Sequence, residues 1–186
     1  MKSFFKLTSK FFVASICAVA LCVSTLAYNQ RKAIDYAKGH WSDGKGLCSE
    51  FVSDCLIAGD IHFSKKTDAQ EGRVRFYPNG EGFYIGCWGL FYDLQFRLDD
   101  VEIKVPVTEA DGSLRWDENP YLKPGDVLFI RDRSFSAIND AYSHVVLVGD
   151  RIGDKVTMYG HNNARNNEVL RVDNATERWV CAHFIR

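Results

Sequence analysis

The chain has 186 residues, 25% of them charged and 46% hydrophobic, with a formal net charge of −1. That is enough apolar material for a domain with a real core. The near-neutral balance, with no basic run carrying interleaved aromatics, argues against a nucleic-acid ligand.

Residues 1–27 read as a cleaved signal peptide. Lys2, Lys6 and Lys10 form a positive start, Phe11 to Leu26 is almost wholly apolar, and Thr25-Leu26-Ala27 is a small-residue cleavage site. The apolar run of roughly 16 residues falls short of the ~20 that a membrane span needs. A membrane association is therefore expected only through an uncleaved leader. Removing the three leader lysines takes the formal net charge from −1 to −4. The expected product is an exported protein (secreted, periplasmic or cell-wall associated) with a single domain over residues 28–186.

Four cysteines remain after the leader: Cys48, Cys55, Cys87 and Cys181. Export permits disulfides. Cys48 and Cys55 lie two turns apart along one helix and would not bridge. With Cys48 free, at most one pair forms among Cys55, Cys87 and Cys181. Cys87–Cys181 and Cys55–Cys87 both stay open.

In chain order, Tyr28 to Lys38 reads as a first helix, with Ala33, Ile34, Tyr36 and Ala37 inward and Gly39 as its stop. His40 to Gly46 is a glycine-broken loop. The next helix opens at Cys48, carries an apolar stripe of Phe51, Val52, Cys55, Leu56 and Ala58, and ends at Gly59. Asp60 to Gly86 is a long excursion with short strands at Val74–Phe76 and Phe83–Ile85, and excursions of this length are commonly functional. Trp88 to Leu98 returns to helical spacing. Strands are then expected at Val101–Val107, where Pro106 marks an edge or an end, and through Ile130 after the Lys123-Pro124-Gly125-Asp126 turn. Others follow at His144–Gly149, Val156–Tyr159, Val169–Val172 and Arg178–Ile185. Helices first and antiparallel strands afterwards make an α+β domain.

The chemistry centres on Cys48. In the first turn of a helix, unpaired N–H groups and the dipole favour negative charge. A thiolate is the nucleophilic form of cysteine, and this placement lowers its pKa. Such a nucleophile needs a base, and imidazole suits neutral pH. Of His40, His62, His144, His161 and His183, the best base is His144, at the start of a Val/Leu-rich strand. His62 and His183 read as structural, and His40 as a loop residue near the cleft. Cys55 reads as a buried thiol. No Cys/His pair has close metal-ligand spacing, so neither a metal nor a cofactor is expected. Asn174-Ala175-Thr176 is a glycosylation sequon only in a eukaryotic source.

A cysteine opening a helix as Cys48-Ser49-x-Phe51-Val52-Ser53-x-Cys55-Leu56, a Gly125-Asp126-led strand, His144-Val145 and then His161-Asn162 together resemble the papain-like (NlpC/CHAP-type) cysteine hydrolases of bacterial cell walls. Within them the chain is most similar to the amidase domain family, also at Tyr28, Arg31, Ala33, Tyr36 and Ala37. The resemblance implies a papain-like fold, N-terminal helices packed on an antiparallel sheet, and amide hydrolysis by Cys48 with His144 as base and acid. It further implies His161 as the group orienting His144, with Asn162 or Asn163 as alternatives, and the Cys48 N–H as an oxyanion donor. Trp41 and Ser42 would line the substrate cleft. The implied partner is a peptide or peptidoglycan fragment. One departure is Leu47, where many relatives carry Asp. The alternatives are a catalytically inactive papain-like domain binding cell-wall or protein ligands, and an exported toxin with the same chemistry.

Overall fold

The computed structural model describes residues 27–43, 47–61, 74–76, 83–96, 98–132, 142–161, 164–174 and 177–185. The expected leader, His62, Asn162, Asn163 and much of the 60–86 excursion lie outside the described residues, Ala27 and the short strands apart. The described residues form three helices, α1 (Gln30–His40), α2 (Cys48–Ala58) and α3 (Cys87–Phe96). The strands are β1 (Val74–Phe76), β2 (Phe83–Ile85), β3 (Val101–Lys104), β4 (Val127–Asp132), β5 (Tyr142–Val148), β6 (Thr157–Gly160), β7 (Arg165–Val169) and β8 (Glu177–Phe184). β1 and β2 form a hairpin; the other six form one antiparallel sheet in the order β3-β8-β4-β5-β6-β7. The domain is α+β. Among the described residues no helix is long and apolar enough to cross a membrane.

α1 starts at Asn29, whose side chain accepts from the Lys32 N–H at 3.1 Å, a side-chain cap of the usual kind. Ala33, Ile34 and Ala37 form its buried stripe. The helix does not stop at Gly39 as the sequence suggests. The Trp41 N–H reaches back to the Ala37 carbonyl, carrying the helix to His40, and one glycine costs a helix only about 1 kcal/mol.

α2 is the central element. Phe51, Val52, Cys55 and Leu56 are all buried, and Gly59 closes it with an N–H to the Cys55 carbonyl. Glycine is required there by packing: a Cβ at Gly59 would lie 2.5 Å from the Tyr28 ring. The Asn29 N–H bonds the Gly59 carbonyl at 2.8 Å, and the Tyr28 hydroxyl donates to the Gly125 carbonyl at 2.7 Å. The start of α1 thus ties the end of α2 to the turn before β4.

The sheet has a core on each face. Against the helices lie Val127 and Phe129 of β4, Val145 and Leu147 of β5, Tyr159 of β6, and Ala182 and Phe184 of β8. The alternate residues Leu128, Ile130, Val146, Val148, Met158, Trp179 and Cys181 face the other way, as period-two alternation requires. Leu114, Trp116, Leu122, Val156, Leu170 and Val172 cover that second face.

Two strand expectations need correction. β3 ends at Lys104, ahead of Pro106, and the last edge strand is Arg165–Val169 rather than Val169–Val172. β7 is polar because it is the sheet edge. Leu170 and Val172 are apolar because they cap the second core.

Candidate active site

Cys48 is the first residue of α2. Its N-cap is Leu47, extended at φ −87° and ψ 166°, with no side-chain hydrogen bond to the helix. No polar side chain at that position competes for the first-turn N–H groups, and the positive end of the helix is left to the sulfur.

Two further elements converge on that sulfur. Cys87, the first residue of α3, places its Sγ 3.8 Å from the Cys48 Sγ. From β5 come the His144 side chain and the Val145 N–H, both close enough to Cys48 to favour its anion. The thiol of Cys48 is held far below the ordinary cysteine range. The hydrogen bond from Cys87 is the largest cause, His144 and Val145 add to it, and burial opposes them. Cys87 is pushed in the opposite direction by its bond to Cys48 and by burial, while the Ser49 side chain hydrogen-bonds it. Only Cys48 has the imidazole beside it, so the pair's negative charge sits on Cys48 and Cys87 keeps its proton.

β5 is irregular next to His144. Between β4 and β5 the register shifts: Ile130 faces His144 and Arg131 faces Tyr142, leaving Ser143 as an extra residue. Such a bulge re-aims neighbouring side chains. Tyr142 consequently packs on the helix side, its ring 4.5 Å from that of Phe91. The sequence places His144 at a strand start; it is instead the third residue of β5, half-buried.

His161 follows β6 directly and is buried, its ring stacked on Phe51 of α2 at 4.3 Å. Its Nε2 lies 2.9 Å from the His40 carbonyl oxygen. A carbonyl only accepts, so Nε2 carries the proton, and Nδ1 is a buried lone pair without a hydrogen-bond partner among the described residues. The β5–β6 register pairs Leu147 with Tyr159 and Val148 with Met158. Continued by two residues, it sets His161 opposite Val145, next to His144. The structure therefore brings Cys48, His144 and Cys87 into contact, and seats His161 beside them without a hydrogen bond to His144.

Trp41 is half-buried against the helix-side core and Ser42 is exposed, both just past the His40 carbonyl that holds His161. His40 stacks on Tyr36 and lies 2.7 Å from Asp43. Gly125 and Asp126 are architectural. Gly125 has φ +93°, and a Cβ there would lie 2.9 Å from that of Gln30. Asp126 is fully buried against His183. Among the described residues no group of three or more His, Cys, Asp or Glu is arranged to hold a metal ion.

Cys48, Cys55, Cys87 and Cys181 are all free thiols. Neither Cys87–Cys181 nor Cys55–Cys87 is formed. Cys87 as a neighbour of Cys48 is the feature of the candidate site that sequence reasoning missed. The available signal was a second apolar helix also opening on a cysteine, in Gly86-Cys87-Trp88. Cys48 itself is only 5% exposed, more enclosed than a helix-start cysteine suggests.

No family model, curated protein or solved structure matches the chain.

Proposed function

We propose that the protein is an exported cysteine hydrolase of the papain-like amidase type, cleaving an amide bond in peptidoglycan peptides. The observation that carries this reading is the Cys48 sulfur, held as a thiolate at the start of α2 in contact with the His144 imidazole. Nothing in a purely structural cysteine calls for that combination, whereas a covalent nucleophile requires it.

The thiolate attacks the amide carbonyl carbon, and the C=O electron pair moves onto oxygen. The developing oxyanion is met by the Cys48 N–H in the first turn of α2. His144, carrying the proton taken from the Cys48 thiol, protonates the leaving nitrogen, the C–N bond breaks and an amine departs, leaving a thioester on Cys48. His144 then takes a proton from water, whose oxygen attacks the thioester and releases the carboxylate and the thiolate. His161 acts as a positioning residue: its tautomer is fixed by His40, and its Nδ1 is a lone-pair acceptor for the N–H of His144. Trp41 and Ser42 flank the substrate on the α1 side.

Digesting purified peptidoglycan with the native protein and with Cys48→Ala, followed by mass spectrometry of the soluble products, tests this reading. The native protein should generate paired new amine and carboxylate termini, and the variant none. Identical digests from both, or no cleavage of peptidoglycan or of peptide amides, would overturn it.

A further inference from the structure

Amide hydrolysis gives Cys87 no bond to make or break, yet its sulfur is 3.8 Å from that of Cys48. Each is the first residue of its helix, so both side chains belong to helix ends packed against one another. A disulfide requires a sulfur–sulfur distance of ~2.05 Å, and the two sulfurs already touch at 3.8 Å as thiols. The other two thiols are unlike this pair. Cys55 and Cys181 are fully buried, on opposite faces of the sheet, and burial pushes both thiols up. Buried thiols of that kind are inert, whereas a thiolate beside a second thiol has the layout of a redox sensor.

We infer that Cys87 is a resolving thiol for Cys48, and that a peroxide converts the pair into a reversible disulfide that switches the nucleophile off. The Cys48 thiolate attacks one peroxide oxygen; an S–O bond forms as the O–O bond breaks, and hydroxide leaves. This gives a sulfenic acid on Cys48. Cys87 then loses its proton and its sulfur displaces the sulfenic oxygen, so that an S–S bond forms as the S–O bond breaks. Two thiols and one hydrogen peroxide become one disulfide and two waters, a two-electron oxidation. A dithiol reductant reverses it. The disulfide also spares Cys48 from sulfinic acid, which such reductants do not restore.

The inference shares Cys48 with the proposed hydrolysis but is read by mass, so it stands or falls whether or not any amide is cleaved. The full chain is treated with hydrogen peroxide, blocked with iodoacetamide under denaturing conditions, and mapped by peptide mass spectrometry. The expected product joins the Cys48 and Cys87 peptides with the loss of two hydrogen atoms and disappears with dithiothreitol, while Cys55 and Cys181 remain alkylated. In Cys87→Ser, Cys48 should appear as a dimedone-trappable sulfenic acid and then as sulfinic acid. The fraction of Cys48 recovered by dithiothreitol should fall well below that of the native protein. Cys48 in sulfinic form with Cys87 untouched in the native protein, a bridge from Cys87 to another cysteine, or no oxidation at Cys48 would each overturn the inference. The native-protein map decides the matter even if Cys87→Ser does not fold.

Discussion

An isolated cysteine side chain is half ionised near pH 8.5. Cys48 departs from this because Cys87, His144 and the Val145 N–H favour its anion. The sign of the pH dependence follows. With the native pKa below the unfolded one, iodoacetamide labelling of Cys48 in native protein should stay on its plateau as the pH falls through 8 and 7. The same cysteine in urea should lose reactivity over that range. A native profile superimposed on the unfolded one would remove the thiolate from the site. His144→Ala should shift the labelling profile to higher pH and cut any hydrolysis by about 10²–10⁴, the usual worth of a general base; a loss below tenfold dismisses His144 from that role. Cys48 and His144 were legible as candidates in the sequence because the signals are local: a helix-opening turn, and a polar residue leading an apolar strand. Cys87 was not. Its meaning depends on two helix starts 39 residues apart meeting in space, and no periodicity records that.

Among the elements, α2 accepts a weak start at its own N-terminus. Leu47 has the extended backbone of an N-cap, and its carbonyl accepts from the Phe51 N–H, but its side chain has no oxygen to offer the helix. Leu47→Asp should stabilise the protein by about 1 kcal/mol through a side-chain cap, measured as a higher urea midpoint. It should also move Cys48 labelling to higher pH, because a carboxylate then competes for the same N–H groups and repels the thiolate. Added stability with unchanged reactivity would mean that the first turn contributes nothing to the sulfur. The elements themselves were read well where burial imposes a pattern, as in α2 and β8. They were misread where tertiary context decides. The bulge at Ser143 turns on pairing with β4. β7, a sheet edge of mostly polar residues, is held partly by Asn167, whose Oδ1 accepts from the Asp150 N–H at 2.8 Å with the backbone at φ +52°.

Across the whole molecule, the helices and the sheet are joined at a few buried polar points, and Asp126 is the chief of them. It is fully buried, and its carboxylate accepts from the Lys123 N–H at 2.9 Å, the Phe184 N–H at 3.1 Å and Gln30 Nε2 at 3.4 Å, with His183 Nδ1 at 2.9 Å. The turn before β4, the end of β8 and the start of α1 are thereby fixed to one side chain. Burial pushes its carboxyl above the usual range, and the bonds from His183, Phe184 and Lys123 pull it back. The sequence shows a Gly-Asp pair ahead of a strand, which also suits a site motif. Only the buried partners identify it as a joint between layers.

Asp126→Ala would strand two backbone N–H groups and an imidazole in the interior. Breaking a buried pair of this kind costs about 3–5 kcal/mol. With a urea slope of about 1–3 kcal/mol per molar for a small domain, the unfolding midpoint should drop by one molar or more. The Cys48 labelling profile of the fraction still folded should keep its low-pH plateau, because the atoms holding the thiolate come from α2, α3 and β5. Loss of that plateau in folded protein would mean that the joint at Asp126 also positions the sulfur and its imidazole. The sheet anchor and the reactive site would then be one mechanical unit rather than two.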